Sequence, residues 1–168
     1  MENELINKVA QSGLVTIDLE DYFIPGERVL FDIKSWLFEE LVLREKDFRE
    51  NIKNHDWTQY TDKLVAIICS VDAIVPTWAY MLIATHLEPY TKSIVFGNLD
   101  KLEEENFMKQ IAGLDAESFR DQKVVIKGCS KIPVPVSAYV ALTEKLRPVV
   151  KSIMYGEPCS TVPIYKKK

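Results

Sequence analysis

Apolar and polar residues alternate over Leu14–Leu19, where Val15, Ile17 and Leu19 interleave with Thr16 and Asp18. That is the period of a strand with one buried face. Tyr22-Phe23-Ile24-Pro25-Gly26 reads as a turn that folds its apolar side chains back over the core, and Glu27–Phe31 as a second short strand. From Asp32 the period lengthens. Asp32 as N-cap, followed by Ile33, Trp36, Leu37, Glu40, Leu41 and Arg44, predicts a helix. Mixed charges continue this solvated face, with Leu43, Phe48 and Ile52 as its apolar residues. Asn54-His55-Asp56-Trp57 breaks the pattern, and Thr58–Asp62 is a polar connection. Ahead of all this, Leu5, Ile6 and Val9 predict a short amphipathic helix over Met1–Gln11, ended by Gly13.

The stretch that follows is written twice. Lys63–Gly97 and Lys123–Gly156 align with one residue deleted after Cys-Ser, matching Lys63 with Lys123, Cys69 with Cys129, Pro76 with Pro135, Tyr80 with Tyr139 and Gly97 with Gly156. This reads as an internal duplication. In each copy a short β-branched run (Leu64–Ile68, Val124–Ile126) predicts a buried strand. A helix then follows Val-Pro and stops near Pro89 or Pro148, and Ser93–Phe96 or Ser152–Tyr155 predicts a second strand. Each copy is thus an expected βαβ unit with parallel strands. Between the copies, Leu102, Phe107, Met108 and Ile111 predict a helix broken at Gly113. The expected fold is α/β: a single domain over residues 1–168, built from two pseudo-symmetric βαβ repeats with an N-terminal α/β extension.

Composition adds bounds rather than shape. A chain of 168 residues, 47% hydrophobic and 27% charged, is an ordinary globular one. A net charge of -4 and a pI near 5.3 argue against a general nucleic-acid binder. The first residues lack the pattern of a signal peptide, and no apolar run reaches the length of a membrane span. Three widely spaced cysteines do not form a secreted disulfide framework, so the expected compartment is the cytoplasm.

Candidate chemistry centres on those cysteines. Each opens the same local theme, Cys-Ser followed by Val-Pro: Cys69 to Pro76, Cys129 to Pro135 and Cys159 to Pro163. In open parallel sheets ligands bind at the carboxyl ends of strands, beside helix N-termini that favour thiolates. One reading is therefore a metal site of Cys69, Cys129 and Cys159, completed by Asp72 or His55, with His86 a weaker candidate. It would hold an iron–sulfur cluster, iron or zinc. The opposing reading treats the thiols as small buried hydrophobes, since nothing here resembles compact CxxC pairs. Asp56 would then cap a turn and Trp57 would pack it against the core. Thiol-dependent sulfur transfer is a third reading. No phosphate loop, HExxH, GxSxG or kinase motif is present.

The segments LVLREKDFRENIKNHDW, CSVDAIVPTWAYMLIATHLEP and KGCSKIPVPVSAY resemble the bacterial domain-of-unknown-function family numbered 2480, over nearly the whole chain. The resemblance implies a small single-domain protein of a kind often encoded beside iron–sulfur assembly genes. Iron–sulfur assembly proteins would then be its partners and the cluster reading of the cysteines would be favoured. It supplies no defined site. The expectation is an accessory factor in iron–sulfur or metal handling; the alternatives are an interaction or scaffolding domain and a sulfur-transfer protein.

Overall fold

The computed structural model describes residues 13–128 and 130–168. The helix expected over Met1–Gln11 and the candidate ligand Cys129 lie outside the described residues. In chain order the described strands are β1 (Leu14–Ile17), β2 (Arg28–Asp32), β3 (Leu64–Ile68), β4 (Ser93–Phe96), β5 (Lys123–Ile126), β6 (Ser152–Glu157) and β7 (Ser160–Lys166). The described helices are α1 (Glu45–Asn54), α2 (Thr77–Leu87), α3 (Leu99–Ala112) and α4 (Val136–Leu146). The protein is mixed α/β with two sheets, and the chain divides into two compact units: Pro25–Glu105, and Met1–Ile24 with Asn106–Lys168. Among the described residues no helix is long and apolar enough to cross a membrane.

In the unit Pro25–Glu105 the sheet order is β2-β3-β4, parallel throughout. The unbroken apolar run Leu64–Ile68 takes the central place because a middle strand with both faces covered needs no polar side chain. Phe31, Phe48, Ile52, Trp57, Tyr60, Val65, Ile83 and Leu87 form one buried cluster on one side of it. Burying a side chain the size of Ile83 completely contributes about 1.5–3 kcal/mol. Asp56 accepts from the Thr58 backbone N–H at 3.0 Å and opens a 3-10 turn over Trp57–Tyr60, so the expected polar connection is a capped, partly buried turn.

The helix expected from Asp32 to Arg44 does not form. Asp32 does act as a cap, accepting from the Lys34 backbone N–H at 3.1 Å, but only a 3-10 turn over Ile33–Trp36 follows. Glu39 and Glu40 both have positive φ (52° and 57°), and the Phe38 N–H donates to the Val42 carbonyl at 2.8 Å. A hairpin turn thus replaces two turns of helix, and Val42 goes on to bridge Ile74. The helical period was real in the sequence, but tertiary strand-like pairing at Val42 outweighs it.

In the other unit the order is β1-β5-β6-β7, the first three parallel and β7 antiparallel to β6. The chain beyond Gly156 is therefore a hairpin strand. Its Pro163 masks the strand in the sequence, yet an edge strand tolerates a residue with no N–H to donate. Gly156 has φ of 124°, and a Cβ there would meet the Ser160 carbonyl oxygen at 2.6 Å, so the turn requires glycine. Ile17, Leu19, Phe107, Ile111, Val124, Leu142, Leu146 and Ile153 form the buried cluster of this unit.

The ladders correct the alignment at the cysteines. Leu64 lies opposite Ser93, and Lys123 opposite Ser152, so corresponding strand positions are Leu64 and Lys123, not Lys63 and Lys123. A one-residue slip would turn every side chain to the other face, whereas Val65 and Val124 are both core residues. By register, the position of Cys69 is taken by Gly128 in the other unit.

Candidate functional site

At the carboxyl ends of the parallel strands, where open sheets usually hold ligands, several polar groups make short internal contacts. At the end of β2, the Asp32 carboxylate accepts the Ser70 N–H at 3.2 Å and also the Ser70 hydroxyl, besides capping Lys34. Burial raises its pKa, but those hydrogen bonds and the Lys34 charge outweigh it and hold the carboxyl below its ordinary range. After β1, Asp18 accepts from the Glu20 N–H at 2.9 Å and from Lys127 Nζ at 3.1 Å. Glu20 accepts from the Lys131 backbone N–H, the main cause of its lowered pKa. Asp18 and Asp32 share a local sequence pattern. The signal is there in Val-Thr-Ile-Asp-Leu and Val-Leu-Phe-Asp-Ile, an acidic residue after a strand and before an apolar one.

Cys69 follows β3, is half-buried, and its thiol donates to the Val71 carbonyl at 3.3 Å. The nearby Tyr80 phenol has a pKa raised by burial first and then by the Cys69 thiol. Asp72 is exposed, and the N-cap position of α2 is Pro76, so Asp72 does not cap that helix. His55 is enclosed by aromatic rings: Phe31, Trp36, Trp57 and Tyr60 have centroids 4.8–5.6 Å from it. Its Nε2 lies 2.8 Å from the Tyr60 hydroxyl and 3.4 Å from the Gln59 amide nitrogen, which can only donate. Nε2 is therefore the acceptor, and burial lowers the imidazole pKa, with the Asp56 charge partly opposing. His86 is half-buried, its ring 5.1 Å from Trp57, and Nδ1–H donates to the Leu82 carbonyl at 2.9 Å. Cys159 is exposed in the turn between β6 and β7. Among the described residues no group of three or more His, Cys, Asp and Glu is placed to hold a metal ion. Cys69, Asp72 and His55 are thus not gathered into a ligand set, and Cys159 belongs to the other unit.

What stands out instead is apolar and exposed. Met81 on α2 is 64% exposed and Val140 on α4 is 62% exposed, at corresponding positions of the two helices. Beside them Tyr80 meets Phe96 edge-on at 5.0 Å, and Tyr139 meets Tyr155 edge-on at 5.8 Å. Gly128 permits the second arrangement, since a Cβ there would lie 2.5 Å from the Tyr155 ring. In that unit Ile126, Tyr139, Val140, Thr143, Glu144, Tyr155 and Ile164 line a cleft of about 440 Å³ whose walls are mostly apolar.

Comparison with known proteins adds one finding. The model of the family described as a protein of unknown function, DUF2480, matches residues 3–167. The chain belongs to this family. No curated protein and no solved structure matches the chain. Membership agrees with the resemblance carried by LREKDFRENIKNHDW and KGCSKIPVPVSAY, and assigns no DUF2480 residue a role.

Proposed function

We propose that this member of the family is a non-catalytic interaction module that binds protein partners through exposed apolar side chains, those on α2 in one unit and those on α4 in the other, with Cys69 as a packing thiol. One observation carries the reading: Met81 and Phe96 in one unit, and Val140 and Tyr155 in the other, are large apolar side chains left in water at corresponding positions. Exposed apolar residues scattered singly need no explanation, whereas a helix residue grouped with a strand aromatic twice over points to contact surfaces. The polar groups at the strand ends, meanwhile, are engaged with one another rather than aimed at a common point. We also read the two units as copies of one duplicated βαβ unit. Supporting this are the parallel β3–α2–β4 and β5–α4–β6 orders, the two ring pairs, and the positive φ shared by Asp62 and Asp121 (60° and 58°) ahead of the central strands.

A photo-crosslinking residue at position 136, which is 77% exposed at the start of α4, tests the partner-binding reading in cells that make the protein. One defined protein adduct is expected, lost on Val140→Glu in a chain that keeps its circular dichroism spectrum. No adduct, or one indifferent to Val140→Glu, would sink it.

A role in iron–sulfur or metal handling is the second reading, favoured by the exposure of the Cys159 thiol, which is open to a metal donor or an assembly protein. Free thiols at Cys69 and Cys159 also fit a reducing compartment such as the cytoplasm. Anaerobic reconstitution decides it: stoichiometric iron or zinc lost on Cys159→Ser supports the reading, and its absence by elemental analysis removes it.

A further inference from the structure

We propose that a cleft on the opposite face of the β1-β5-β6-β7 sheet binds a small amphiphilic anion, a phosphate or carboxylate carried on an apolar body. The inference goes beyond the partner-binding reading and uses none of its residues. Sheet register supplies the geometry. Leu14 pairs with Lys123, Lys123 with Ser152, and Ser152 with Lys166, so one row crosses all four strands. Residues directly opposite one another share a face. Val124 and Ile153, the neighbours of Lys123 and Ser152, pack into the core with α4. The row of Lys123, Ser152 and Lys166 is therefore on the other face, where Met154 lies two residues on.

That row, together with Leu14, Lys151, Met154, Pro163 and Tyr165, lines a cleft of about 460 Å³, more apolar than polar in its walls. Three lysines thus line one cleft, from β5, from the residue before β6, and from the end of β7. None of the three makes an ion pair among the described residues, although Lys63, Lys101, Lys127 and Lys167 each do. Gathering like charges is unfavourable and is relieved by an anion. The Ser152 hydroxyl adds a neutral donor. Leu14 and Met154 supply the apolar floor that a hydrated inorganic ion could not use. A nucleic acid is a poor match, because the chain as a whole carries a net charge of -4.

The test is titration of the full-length chain with octyl phosphate and with octanoate, followed by amide chemical shifts. Inorganic phosphate and octyltrimethylammonium are the comparison probes. The expected result is saturable shifts at Leu14, Ser152 and Met154 with either amphiphilic anion, weaker ones with inorganic phosphate, and none with the cation. Lys123→Gln, Lys151→Gln and Lys166→Gln should each weaken octyl phosphate binding by about tenfold. These exposed positions tolerate glutamine, so the variant spectra elsewhere should match the parent. Equal binding of inorganic phosphate and octyl phosphate would overturn the proposal, as would binding of the cation, indifference to all three substitutions, or binding only to phosphatidylglycerol vesicles. Loss of the protein adduct at position 136 would leave this result unaffected, so the two proposals fail separately.

Discussion

At the scale of single residues, His55 is the side chain whose environment makes the sharpest demand. Four aromatic rings surround it, and its Nε2 accepts from Tyr60, so the folded chain favours neutral imidazole. Its pKa is lowered by burial, against the opposing charge of Asp56. On unfolding the imidazole recovers its ordinary pKa of about 6.5. The unfolded chain therefore binds the proton first, and stability falls as pH drops below about 6.5, levelling off below the lowered folded value. Urea midpoints measured between neutral and mildly acid pH should show that decline. In His55→Gln it should be reduced; an unchanged decline would assign it elsewhere. Gly128 makes a simpler demand. With the Tyr155 ring 2.5 Å from where a Cβ would sit, Gly128→Ala must displace Tyr155 or the strand end. The expected cost is about 1–3 kcal/mol, the usual range for overpacking, read from denaturant unfolding. No loss would mean the ring is free to move away.

At the scale of elements, the helices and central strands were legible because burial and period agreed there. Leu64–Ile68 is apolar throughout and is the middle of a sheet; Leu102, Phe107 and Ile111 mark one helix and are all buried. Failures came where a local pattern met a long-range contact. Ile33, Leu37 and Leu41 carry helical spacing, yet the chain turns at Glu39-Glu40 and Val42 bridges Ile74, a partner no local window contains. β7 was hidden by Pro163 and by the break in register between Ile153 and Met154. The strained turn can be checked directly. Residues other than glycine in the left-handed region cost about 1–2 kcal/mol each. Glu40→Gly should therefore raise the unfolding free energy, by about 0.5–1 kcal/mol after the added chain entropy of glycine is counted. A fall in stability would mean that the Glu40 side chain contributes more than its backbone strain costs.

Over the whole molecule, the two similar stretches each hold a parallel strand–helix–strand order, while their residue-by-residue match is misleading about strand register. Identity at Lys63/Lys123 and Cys69/Cys129 pulled the alignment one residue out of register, because short β-branched runs look alike after a slip of one. Only the pairing of strands, with its strict alternation of faces, sets Gly128 at the position of Cys69. Recurring Cys-Ser turns drew attention to thiols, while the exposed apolar residues at Met81, Phe96, Val140 and Tyr155 read as ordinary helix and strand positions until their surroundings were known. Asp72 and His55 were likewise legible as polar groups in loops, but not as an exposed carboxylate and a ring-enclosed imidazole.

The central claim is that this protein works through exposed apolar side chains and not through its cysteines. The direct measurement is the adduct yield from the photo-crosslinking residue at position 136, compared between the parent chain and one carrying Cys69→Ser, Cys129→Ser and Cys159→Ser together. The account predicts the same partner at the same yield from both chains. Loss of the adduct from the folded cysteine-free chain would contradict it and return the thiols to the centre of the protein's function.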